Sequence, residues 1–145
     1  MNLTEVKTTA QKKAFHDVAR ILYRHDPWWV CPLYNEIEEI FDPAENTLFT
    51  DGAAIRWLLS DDQGNLIGRI GAFYNRGKAG KHEQPTGGIG FFECIDDQQA
   101  ANLLFDAARD WLHHHGMEAM YGPVTFGENL TNWGSLVEGF TLPSY

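Results

Sequence analysis

The stretch from Asp96 to Gly116 constrains this chain more than any other. Ala100, Leu103, Leu104, Ala107, Ala108, Trp111 and Leu112 recur at the spacing that lines one face of a helix. Asp96 with Gln99 can form a capping box at the start, and Gly116 is placed to end the helix. An apolar run of strand length abuts each end, Ile89 to Cys94 before it and Met117 to Tyr121 after it. Strand, helix and strand in that order require a right-handed crossover that leaves the two strands parallel or nearly so. The chain must therefore mix helices with a sheet that is parallel in at least one place.

The rest of the pattern builds outward from that unit. Leu3 to Lys7 alternates weakly, as a short edge strand would. Thr9 can cap a helix whose apolar face is Phe15, Val18, Ala19 and Leu22, and Asp26-Pro27 stops it. A second helix starts near Pro32 and gathers Leu33, Ile37, Ile40 and Phe41 on one side. Ala54 to Leu59 and Leu66 to Tyr74 flank the turn residues Asp61-Asp62-Gln63-Gly64-Asn65, which predicts an antiparallel hairpin. Asn75 to Gly88 reads as a loop, and Ser135 to Phe140 as a last short helix. No repeat or linker interrupts the chain, so residues 1–145 read as one α+β domain, a mixed and mostly antiparallel sheet flanked by helices.

Charge narrows the partners. Eleven Lys and Arg against 20 Asp and Glu give a formal charge of −9, which repels nucleic acid and anionic membrane surfaces. No apolar window approaches the length of a membrane span, and Met1 to Lys13 has no targeting pattern, so a cytoplasmic location is expected. Two cysteines, Cys31 and Cys94, fit no metal or redox spacing and read as reduced, buried thiols.

Several segments carry a resemblance: Arg24 to Leu33 (RHDPWWVCPL), Gly90-Phe91-Phe92-Glu93-Cys94, Gly122-Pro123 and Leu136-Val137-Glu138-Gly139-Phe140. Together with the element order, they make the chain similar to a bacterial GNAT-like family within the N-acetyltransferase superfamily. The resemblance implies a GNAT-like fold with a splayed parallel strand pair, and acetyl-CoA lying in the cleft between those strands. It places Phe92, Glu93, Cys94 and Ile95 along the pantetheine and Asp96 to Ala100, with Gln98, Gln99 and Ala100 among them, toward the pyrophosphate. This chain departs from the superfamily there: Asp96-Asp97-Gln98-Gln99 has no glycine and two carboxylates where bare N–H groups would meet phosphate. The family also runs on beyond the position of Tyr145, so the resemblance implies either a chain incomplete at its C-terminus or an unusually short member, with an open edge on the final strand and a homodimer or swapped assembly that completes the sheet.

The candidate chemistry follows from amine acetylation, which needs a base, a carbonyl-polarising donor and an acid for the departing thiolate. Glu93 is the candidate base; the competing reading is a structural carboxylate held by an Arg or the backbone. Glu128 and Asn129 are candidates to orient the amine, or to bond their own loop. Tyr121 or Tyr145 is the candidate acid. Cys94 has no adjacent cation and reads as a small hydrophobe. His113-His114-His115 point about 100° apart on a helix and do not converge on a metal. Arg76 to His82 is basic but lacks the Walker pattern, and Trp28-Trp29 reads as a hydrophobic staple between helices. The function these features support is transfer of an acetyl group from acetyl-CoA to a small-molecule or protein amine, with no metal. The alternative is a non-catalytic GNAT-like module that binds a small ligand or partner.

Overall fold

A computed structural model describes residues 1–127, 138 and 141. Its elements are β1 (Asn2–Glu5), α1 (Thr9–Leu22), α2 (Tyr34–Ile40), a 3-10 helix (Thr47–Asp51), β2 (Gly52–Ser60), β3 (Leu66–Asn75), α3 (Arg76–Ala79), β4 (Thr86–Cys94), α4 (Gln98–His114) and β5 (Ala119–Tyr121). The strands form one sheet in the order β1-β2-β3-β4-β5. Every neighbouring pair is antiparallel except the last, in which β4 and β5 run parallel. The expected α+β class and the parallel pair around α4 are both present.

The predicted elements shift where local chemistry decides their ends. Thr8, not Thr9, caps α1: its side chain accepts from Gln11 N–H while Gln11 accepts from Thr8 N–H, completing a capping box. Three residues beyond Thr9 stands Lys12, which has no acceptor to reciprocate. Asp97, not Asp96, caps α4, accepting from Ala100 N–H at 2.9 Å. Strand pairing persists through Ile95, whose N–H reaches Ile67 O, so Asp96 is spent on the turn. Gly116 ends the helix region as expected, at φ +85°. The segment expected as a loop over 75–88 instead contains α3, capped by Asn75, and the first three residues of β4. Glycine hid that strand. A Cβ on Gly87 would lie 2.4 Å from Leu112, so the bare backbone lets α4 seat directly on the sheet. The expected helix over 135–140 falls outside the described residues, apart from Glu138.

The sheet has two buried faces. On one, α4 packs Ala100, Leu104, Ala108 and Leu112 against Trp57, Leu59, Ile70, Ala72 and Tyr74. On the other, α1 and α2 pack Phe15, Val18 and Ile37 against Leu58, with Phe41 and Phe91 alongside. Strand β4 changes phase between them. Arg69 pairs with Glu93 and Gly71 with Gly90, so two steps on β3 face three on β4, and the extra residue, Phe91, sits at φ +55°. Such a conformation costs a non-glycine residue about 1–3 kcal/mol. Its return is placement: Phe91 joins Phe15 and Phe41 on one face while Phe92 stacks on Phe105 on the other, at 4.4 Å.

After β5 the chain crosses β4 closely. Val124 N–H donates to Ile89 O at 3.0 Å, and a Cβ on Gly90 would lie 2.1 Å from Val124 O. The crossing is anchored beyond, where Phe126 stacks on Phe73 and Asn46 donates to Phe126 O at 2.7 Å. Because the obstacle is backbone, Gly90→Ala should cost about 1–3 kcal/mol of stability, an overpacking penalty. Urea denaturation reads this directly, and an unchanged midpoint would mean that the crossing is looser than described.

Candidate active site

The parallel pairing of β4 with β5 is short. It covers Thr86 to Gly88 against Ala119 to Tyr121, and β4 then runs on to Cys94. Beyond the Val124 bond to Ile89 O, no strand among the described residues pairs with this edge. Ile95 N–H is committed to β3 through Ile67 O, and strand alternation therefore turns the amide groups of Phe92 and Cys94 away from β3, toward the open side. At this end of β4 lies a surface cavity of about 380 Å³ lined by Leu22, Tyr23, Arg24, His25, Cys94, Ile95 and Asp96. One wall is the end of α1. The other is the turn from β4 into α4.

Beside that cavity, on the α1 face, Glu93 sits half-buried in a polar group with Tyr23 and the buried Arg69. Tyr23 O–H donates to Glu93 Oε2 at 2.5 Å, and Arg69 Nη2 stands 4.0 Å from Oε1. Burial pushes the Glu93 carboxyl above the usual range, while the Tyr23 hydrogen bond and the Arg69 charge pull it back in part. Burial and the same hydrogen bond to Glu93 hold the Tyr23 hydroxyl firmly protonated. Trp29 stacks on the Tyr23 ring at 5.5 Å and fixes it. Arg69 is 3% exposed; it donates from Nη1 to Phe15 O at 2.8 Å and lies 4.9 Å from the Phe15 ring centre. A carboxylate raised by burial is a stronger proton acceptor than one in water, and a tyrosine held against it can relay that proton.

The other sequence candidates are dispersed. The Phe92 ring faces α4, Ile95 is exposed, and Cys94 donates to Ile95 O at 2.8 Å with its thiol pushed up chiefly by burial. Gln98 bonds Asn102, Gln99 is exposed, and Ala100 is buried with its N–H taken by the Asp97 carboxylate. Tyr121 is opposite Gly88, five residues along β4 from Glu93, roughly 16 Å at the usual strand rise. Glu128, Asn129 and Tyr145 lie outside the described residues. Arg76 rests over Tyr74, and His115 stacks on Tyr74 and approaches Trp111. Among the described residues no three His, Cys, Asp or Glu side chains are grouped to hold a metal ion, and no helix is long and apolar enough to cross a membrane. Both cysteines are free and half-buried rather than buried. The Trp28-Trp29 pair divides: Trp29 packs on Tyr23 while Trp28 is 47% exposed.

Tyr23 and Arg69 were missed in the sequence. Arg69 left a signal, a lone charge within the apolar strand Leu66 to Tyr74, which must find a partner wherever it is buried. Tyr23 left none, since its partner is 70 residues away.

This arrangement belongs to the acetyltransferase type of fold. The chain superposes on a candidate acetyl transferase from Pyrococcus furiosus with a TM-score of 0.51 over 85% of this chain and 81% of that one, at 16% identity, a likeness of fold alone. In sequence, it is 33% identical over 148 aligned residues to the protein named bacterial ceramide synthase of Caulobacter vibrioides, covering 99% of this chain and 37% of that relative. It is 34% identical to Protein YghO of Escherichia coli over 131 residues, 90% of this chain and 33% of the relative. The chain thus spans about a third of the length of the curated relatives it matches. No family model matches it.

The burial of Glu93 sets a pH dependence. Its folded value lies above the ordinary one near 4.5, so its share of stability is complete below that pH and is lost as pH rises through the folded value. Tyr23→Phe removes the bond that offsets burial, and the loss should then extend to higher pH. Urea midpoints between pH 4 and 8 for wild type, Tyr23→Phe and Glu93→Gln test this, with Glu93→Gln expected to lack the decline.

Proposed function

We propose that this chain is a GNAT-like N-acyltransferase module that moves an acyl group, acetyl in the simplest case, from its coenzyme A thioester to an amine. The observation that carries the reading is the early release of β4 from β5, which leaves the amides of Phe92 and Cys94 open beside a cavity. An extended pantetheine arm carries amide groups that match such an edge in the manner of an added strand. Membership in the acetyltransferase type of fold supports it. So does the relative named as a ceramide synthase, because a ceramide is the amide of a long-chain amine.

In this reading Glu93 accepts a proton from the attacking ammonium, with Tyr23 holding the carboxylate in place. The amine nitrogen bonds the thioester carbonyl carbon, the carbon–sulfur bond breaks, and the departing coenzyme A thiolate takes up the second proton that the nitrogen sheds; Tyr121, opposite Gly88 and roughly 16 Å along the strand from Glu93, is too distant to supply it. Glu128 and Asn129 are proposed to hold the amine. Gln98, Gln99 and Ala100 are the proposed phosphate-side wall, and the outer edge of the three-residue β5, unpaired among the described residues, suits pairing with a second copy.

A specific observation favours the alternative of a non-catalytic binding module. The Asp97 carboxylate already occupies the Ala100 N–H, one of the helix-start donors that a phosphate would use, and Glu93 is engaged by Tyr23 and Arg69. Calorimetry with acetyl-CoA separates the two. Catalysis predicts binding at or below millimolar concentration and, in a protein that turns over an amine, a fall of about 10²–10⁴-fold in kcat/KM for Glu93→Gln with binding retained. Absence of binding at millimolar acetyl-CoA would overturn the proposal.

A further inference from the structure

A second cluster lies under the segment that links α1 to α2. From Trp28 to Pro32, exposure alternates residue by residue: Trp28, Val30 and Pro32 face outward, and Trp29 and Cys31 face inward. The two inward side chains are the anchors. Trp29 rests on Tyr23, and Cys31 Sγ lies 3.6 Å from His16 Nε2. His16 is 5% exposed and is held edge-on by the Tyr34 ring at 5.5 Å. Two polar atoms of this cluster are buried with no hydrogen-bond partner among the described residues, His16 Nδ1 and Arg69 Nε. Burial, followed by the charges of Arg20 and Arg69, pushes the His16 imidazole below its ordinary value, with Asp17 and Glu38 opposing. It is therefore a neutral imidazole at pH 7, a weaker proton acceptor than one in water but in direct contact with a half-exposed thiol, with the Arg69 cation nearby.

We propose that Cys31 and His16 form a nucleophilic thiol–imidazole pair, a modification site for low-molecular-weight disulfides. In the step, His16 Nε2 takes the thiol proton and Cys31 Sγ attacks one sulfur of the disulfide. A new sulfur–sulfur bond forms, the old one breaks, and the departing thiolate takes the proton back from the imidazolium. Cys31 is oxidised and the departing half of the disulfide is reduced. The added group cannot share the inward position with His16, so it lifts one of the two anchors of the segment. The other anchor, Trp29 on Tyr23, is the one that holds the Glu93 hydrogen bond. The proposal stands apart from the acyltransferase reading and needs no bound substrate.

Cys94 is the internal control, because it too is half-buried and free and donates to the carbonyl of the next residue, Ile95 O, as Cys31 does to Pro32 O at 3.4 Å, but it has no imidazole against it. Treating the intact chain with glutathione disulfide at pH 7 and mapping adducts by mass spectrometry should show Cys31 modified about tenfold or more faster than Cys94, as a base-assisted thiol is. His16→Asn should remove most of that difference. Should that variant fail to fold, the wild type still decides: the native Cys31 must react faster than the same residue in urea, relative to Cys94 in each state. Equal rates for the two cysteines in the native chain, or a Cys31 rate unchanged by a folded His16→Asn, would overturn the proposal.

Discussion

Two guanidinium groups buried on one face of the sheet govern the placement of everything above it. Arg56 on β2 and Arg69 on β3 are 6% and 3% exposed and face the same side. An unpaired buried charge costs several kcal/mol, so each must find both a counter-charge and hydrogen-bond acceptors. Arg56 finds Glu38 of α2 through two bonds, Nη1 to Oε1 at 2.8 Å and Nη2 to Oε2 at 2.9 Å, and lies 4.2 Å from the Phe41 ring centre. Arg69 finds the Phe15 carbonyl of α1 and the Glu93 carboxylate of β4. The two helices are thus seated by charge as well as by apolar packing. Glu93 is consequently a counter-ion as well as a candidate base, and any chemistry that protonates it leaves Arg69 with less compensation.

The open edge of β4 has a different origin, in a glycine of the strand itself. A parallel partner could continue beside Ile89 and Gly90 only if the chain after β5 stayed in the plane of the sheet. It leaves instead, crossing the bare backbone of Gly90 to deliver Val124 and Phe126 to the α1 face, where Phe126 packs between Phe49 and Phe73. Burial of that aromatic cluster, and the bonds from Asn46 to Ile40 O and Phe126 O, hold the departure in place. The slot therefore follows from core formation on the far face. The bulge at Phe91 then sets which side chains flank it, turning Glu93 to α1 and leaving the Phe92 ring against α4.

What could be read from the sequence divides along the same line. The stripe of α4 and the hairpin β2–β3 were legible because their periodicity is local, and Gly116 marked a helix end that only a positive φ explains. The start of β4 was not, since Gly87 and Gly88 look like loop residues until Leu112 and Phe73 are seen pressing on them. Glu93 stood out as a charge inside an apolar run. Its environment did not, because Tyr23 and Arg69 come from elements 70 and 24 residues away in the chain (93 − 23 and 93 − 69) and no spacing rule connects them. The segment Arg24 to Leu33 was recognisable as a motif, yet its division into inward anchors and outward apolar residues appears only once His16 and Tyr23 are in place beneath it.

The cavity wall carries a further physical consequence for any thioester donor. Its charged lining is Arg24 on one side and Asp96 on the other, and Arg24 Nε already donates to His25 Nε2 at 3.2 Å. One cation set against one carboxylate presents little net charge to a phosphate. A helix start adds only about 0.3–1 kcal/mol for an anion, and here the Asp97 carboxylate competes for it. Attraction for a nucleotide end is therefore weak, and recognition falls to the amides of Phe92 and Cys94 and to the apolar surfaces of Leu22 and Ile95. In the proposed acyltransferase, such a site would discriminate on the extended amide-bearing arm and the acyl chain. Salt should then weaken binding far less than it would at a phosphate loop built from cations, because hydrogen bonds along a strand edge and apolar contact are not screened.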